Sequence, residues 1–108
     1  MNKITIYKNS GKYKGFSSKG HVEYADSGYD IVCAAISVLV INTINSIEAF
    51  TTDSIDVKAN EKKGIIECQF LSEISSESTL LMDSLILGLK GIQTDYHNEY
   101  LTLIFEEV

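Results

Sequence analysis

The chain has 108 residues, of which 44% are apolar and 22% charged, and its formal net charge is −6 at pH 7. That length supports one domain, spanning residues 1–108, with a real core but no room for a second, and the ordinary apolar fraction excludes a disordered chain. All nine basic residues are lysines, so bidentate recognition of phosphate or guanine by arginine is excluded and direct nucleic-acid binding is not expected.

In chain order, "KITIYK" alternates and is rich in β-formers, "NSG" is a turn, and "KYKGFSS" reads as the returning strand. Lys3, Lys8, Lys12, Lys14 and Lys19 all precede the first acid, Glu23. They read as the solvated face of this hairpin, since edge strands commonly carry such charges. The acidic remainder favours a basic partner. Residues 20–29 form a polar, glycine-bearing connection. Asp30 then offers a helix N-cap for "IVCAAISVLVINTINSIEAF", whose apolar residues lie on nearly every side and imply burial over most of its surface.

"SIDVKA" and "GIIECQFL", joined by "NEKKG", read as a second hairpin. "SSESTLLMDSLILGLKGIQTDYHNE" opens with capping residues and repeats apolar positions at Leu81, Leu85, Leu89, Ile92 and Tyr96, an amphipathic helix. "YLTLIFEEV" closes as a strand. The order is therefore ββαββαβ, an α+β fold with two helices packed on a mostly antiparallel sheet. The longest apolar run, "IVCAAISVLVI", is short for a membrane span, and the first ten residues alternate like a strand rather than a signal peptide. The two cysteines sit in unlike settings and give no disulfide framework, so a cytoplasmic, reduced protein is expected.

Residues able to do chemistry are few. Cys68 shares a strand face with Ile66 and Phe70 and reads as a buried, inert thiol. His97 reads as a cation at a helix end. Both cysteines and both histidines together lack the short paired spacing of a zinc site, so no metal or cofactor is expected. Cys33 differs by position. With Asp30 as cap it falls in the first helical turn, where free N–H groups favour a thiolate, and Asp30, Cys33 and Ser37 form one polar stripe. His21, at the end of the preceding strand, could meet that thiol as its proton acceptor. Spacing alone leaves two readings open: a catalytic pair, or a loop histidine and a core cysteine.

"GF" at 15 and 16 followed by "GHVEYADSGYDIVCAAIS" resembles the Prp family, bacterial ribosomal-processing cysteine proteases. Gly20, His21, Tyr24, Gly28, Asp30, Val32, Cys33, Ala34, Ala35 and Ser37 fall in register with the family pattern, and Gly88, Leu89 and Tyr96 match a weaker motif in the second half. Where the family tends to have a proline after that tyrosine, His97 stands instead. The resemblance implies that His21 and Cys33 form a catalytic dyad. It implies as substrate the N-terminal extension of a large-subunit ribosomal protein, and it implies a homodimer with a mobile loop between the two catalytic residues. In physical terms Cys33 would attack the scissile carbonyl, His21 would shuttle the proton, and N–H groups near the helix start would hold the oxyanion. Gly20 and Gly28 would bracket a loop able to close over a peptide. Asp30 would cap, and Ser37 would support the site or bond within the helix. Two other readings compete: a non-enzymatic acidic protein that binds a ribosomal protein during assembly, and a thiol redox sensor. A sensor would need a resolving partner that Cys68 is poorly placed to be.

Overall fold

In the computed structural model, residues 2–20, 27–96 and 99–108 are described, with the backbone alone for 27–29. The elements are β1 (Asn2–Asn9), β2 (Lys12–Lys19), α1 (Ser27–Phe50), β3 (Ile55–Asn60), β4 (Ile65–Phe70), α2 (Ser76–Asp95) and β5 (Leu101–Glu107). The order ββαββαβ is the one the residue pattern predicts. The strands form one mixed sheet ordered β3-β4-β2-β1-β5, antiparallel throughout except for the β1–β5 pair.

Register decides which side chains face the helices. Ile6 lies opposite Phe16, and Phe16 opposite Cys68, so these three share a face with Ile4, Phe70 and Leu101. That face packs with Val32, Ile36, Val40 and Ile47 of α1 and Met82, Leu85 and Leu89 of α2 into one core. The opposite face carries Lys3, Tyr7, Ser17, Glu67 and Thr102, the one-sided pattern of an antiparallel sheet that meets water. A bulge between Tyr7 and Lys8 pairs Lys8 with Tyr13 rather than Lys14. One extra residue on β2 thereby turns Tyr13 to the helix side, where its hydroxyl donates to Asp83 of α2. Burial first and Asp83 second push the Tyr13 phenol up to about 12.

Two expectations need correction. The N-terminal lysines are not on an edge: β1 and β2 are interior strands, and Lys3, Lys12, Lys14 and Lys19 reach water from the open face and strand ends. Nor is α1 buried nearly all round. Val32, Ile36, Val40, Ile44 and Ile47 face the core, while Ile31, Val38 and Ile41 form an exposed stripe three and seven residues apart. By length and composition alone Asp30–Phe50 could cross a membrane; here its buried side is the core of a sheet-and-helix layer.

The start of α2 is fixed as its sequence suggests. Ser75 is the N-cap and accepts from the Ser78 N–H at 3.2 Å. Asp53, just after α1, accepts from the Ser75 N–H at 3.1 Å and from its hydroxyl at 2.6 Å. These bonds, the Ser75 hydroxyl foremost, hold the Asp53 carboxyl below its ordinary range.

Candidate active site

A groove of about 540 Å³ runs between α1 and the strands β2, β3 and β4. Its α1 wall extends from Cys33 to Glu48, which at the helical rise is about 22 Å, room for roughly six or seven residues of extended peptide. Ile36, Val40, Ile44, Val57 and Ile66 make it apolar, and Glu48 and Glu61 place acid along it. Ser37, exposed and one turn beyond Cys33, stands on the same wall. Gly20 and Asn2 close the end at Cys33.

Cys33 is a free thiol, 8% exposed, on the core-facing side of α1. The Asn2 amide donates to its Sγ at 3.3 Å. Cys68 is also free but 2% exposed and enclosed between Phe16 and Val57 on neighbouring strands. Burial, with smaller contributions from Glu48 and Asp56, pushes its thiol up to about 11. Cys68 is thus buried, as its place on the strand predicts.

The helix start differs from the expected one. α1 begins at Ser27, so Asp30 is not its N-cap but an acid in its first turn, where it favours the positive end of the dipole. Its Oδ1 is buried and has no hydrogen-bond partner among the described residues. Cys33 is consequently not in the first turn: its own N–H lies inside the helical ladder, past the free N–H groups of the helix start. Gly28 is helical and does not end a loop. The connection expected over 22–29 is shortened accordingly, and what remains of it, with His21 and Tyr24, lies outside the described residues. So does His97, and with both histidines the zinc arrangement.

Asn2 is the residue that the sequence reading missed. Its signal was present, because β1 alternates Asn2, Ile4, Ile6, and a polar side chain at the head of a core-facing series needs a buried partner.

The family model for cysteine protease Prp matches residues 1–101. The chain belongs to the Prp family. It is therefore a cysteine protease by family. The ribosomal processing cysteine protease Prp of Staphylococcus aureus strain Mu50 is 25% identical over 103 residues, 95% of each chain. Its namesake in Bacillus subtilis strain 168 is 26% identical over 101 residues, 89% of this chain and 90% of that one. A crystal structure of S. aureus Prp, described as an essential ribosomal processing protease in complex with a substrate peptide, shares the fold with a TM-score of 0.90 at 24% identity. It covers 98% of this chain and 100% of that one. A second, with a covalently linked product peptide, has a TM-score of 0.87 at 25% identity over the same shares. The two-helix, five-strand architecture is thus that of the Prp structures.

Proposed function

We propose that this protein is an endopeptidase that removes the N-terminal extension of a large-subunit ribosomal protein, with Cys33 as nucleophile and His21 as its acid–base partner. The observation that carries the reading is the groove: it ends at a free cysteine, is long enough for several residues of extended chain, and is apolar with two acids along it. An apolar, partly basic peptide fits that lining. The ribosomal processing role of the relatives supports the choice of substrate.

In this reading His21 takes the Cys33 proton and the thiolate attacks the scissile carbonyl. The tetrahedral intermediate collapses to a thioester as His21 returns the proton to the leaving amine, and water then releases the acyl product. No metal or cofactor takes part. The protein acts in the cytoplasm, without direct contact with nucleic acid or membrane, as a homodimer; the exposed apolar stripe Ile31, Val38 and Ile41 is the feature that supports self-association. Light scattering of the purified protein tests the dimer: a monomer mass at micromolar concentration would remove it.

The deciding experiment incubates the precursor ribosomal protein with this protein and measures masses. One truncation at a single bond is expected. Binding without cleavage would make the protein the non-enzymatic partner instead.

A further inference from the structure

We infer that Asn2 is the positioning residue for Cys33: its side-chain amide holds Sγ in place at the end of the groove, and Gly20 is glycine because Asn2 occupies the space of its side chain. The inference rests on Cys33 being the nucleophile of the proposed protease. Asn2 is 4% exposed, and each polar atom of its side chain faces a partner. Nδ2 donates to Sγ at 3.3 Å and to the Tyr100 carbonyl at 3.2 Å. An amide nitrogen carries two hydrogens, so both bonds form at once. Oδ1 lies 3.7 Å from Sγ, where it accepts from the protonated thiol. The amide can therefore serve either protonation state, but its bond to the anion is charge-assisted and the stronger of the two.

The backbone beneath this amide is fixed. The Asn2 N–H donates to the same Tyr100 carbonyl at 3.1 Å, and Asn2 pairs with Leu101 in the parallel β1–β5 ladder. From the other side Gly20 closes over it: a Cβ added there would lie 2.0 Å from Asn2 Oδ1. The Gly20 N–H donates to the Gly64 carbonyl at 3.0 Å, which anchors that backbone in turn. Asn2 thus bridges the end of β2, next to His21 in sequence, and the helix that carries the thiol. Ordinary packing does not require this arrangement, since an apolar side chain at the head of β1 would satisfy the core without touching Sγ through a donor.

The test is the pH dependence of Cys33 alkylation by iodoacetamide, read by mass spectrometry of the Cys33 peptide, so it needs no substrate and no cleavage. Asn2→Leu keeps the volume and removes the donor; Asn2→Asp keeps the shape and replaces the donor by an acceptor. Both should slow Cys33 labelling at neutral pH about tenfold, the worth of one hydrogen bond to a charged group. Gly20→Ala, which displaces the amide, should do the same in a protein with native Asn2. The double variant Gly20→Ala/Asn2→Ala relieves the crowding, so it should regain thermal stability over Gly20→Ala alone but not thiol reactivity. Wild-type profiles in Asn2→Leu and Asn2→Asp would overturn the inference and leave Asn2 as packing. A failed cleavage assay with shifted alkylation profiles would count against the protease reading while the Asn2–Cys33 coupling stood.

Discussion

Gly15 of β2 and Cys68 of β4 approach so closely that a Cβ on Gly15 would lie 2.3 Å from the Cys68 carbonyl oxygen. The obstacle is backbone, which cannot swing aside, and Gly15 also has φ +156°, a conformation that side chains resist. Gly15→Ala should therefore cost on the order of 3 kcal/mol. Urea unfolding checks it through the midpoint: a loss under about 0.5 kcal/mol would mean that β2 and β4 separate easily at Gly15.

Cys33→Ala should abolish cleavage of the precursor in a protein that still folds, at a cost of ~1–2 kcal/mol in the unfolding midpoint, because the thiol is buried and accepts from Asn2. His21→Ala should lower turnover on the order of a hundredfold or more. Persisting cleavage at the same bond in Cys33→Ala would move the nucleophile elsewhere.

Cys68 offers the contrasting case. With its thiol pushed up to about 11 and only 2% of its surface exposed, it should alkylate far more slowly than Cys33 in the folded protein. Cys68→Ala should keep cleavage within about twofold and cost ~1–2 kcal/mol for the atoms removed from the core. Faster labelling of Cys68 than of Cys33 in native protein would contradict the assignment of both.

The Asp53 clamp on the start of α2 predicts a pH-dependent stability. The folded carboxyl titrates below its unfolded value, so its contribution is fully present above the unfolded range near ~3.9 and is lost as pH falls through the lower folded value. Asp53→Ala should cost ~1 kcal/mol at neutral pH, as a lost cap partner does. Thermal unfolding should show that deficit shrinking below about pH 4; a constant deficit would mean that the charge contributes nothing.

Tyr13 works in the opposite direction. Its folded phenol titrates near 12, above the unfolded value of ~10, so the stability it contributes is complete below ~10 and is lost as pH rises towards about 12. Tyr13→Phe loses the bond to Asp83, ~1 kcal/mol at neutral pH, but should overtake the wild type in relative terms between pH ~10 and 12. Parallel stability curves across that window would exclude the coupling.

Much of this fold is legible because its periods are clean. The alternation of β1 and β4, the capping serines before α2 and the 3.6-residue repeat of Leu81, Leu85 and Leu89 each follow one local rule, and the structure follows them. What was not legible depended on non-local choices. The bulge that turns Tyr13 inward is one surplus residue whose effect appears only when β1 and β2 are paired. The start of α1 is ambiguous in the residues alone because Asp30 suits both a cap and a first turn. The Asn2–Cys33 contact joins two elements whose adjacency requires the whole sheet. Gly20, Cys33 and Ser37 line the groove, whereas Gly28 and Asp30 belong to the helix start.

The β1–β5 pairing carries a consequence for a chain made one residue at a time. The carbonyl that fixes Asn2 belongs to Tyr100, 98 positions later, and β1 gains its second neighbour only when Leu101–Glu107 docks beside it. Until that segment leaves the ribosome, β1 can hold its hairpin partner but the Tyr100 carbonyl is not there to fix the amide. Closing so long a loop is slow compared with forming the hairpins or helices. The hydrogen-bonded setting of Asn2 against Cys33 is thus complete only once β5 has docked beside β1.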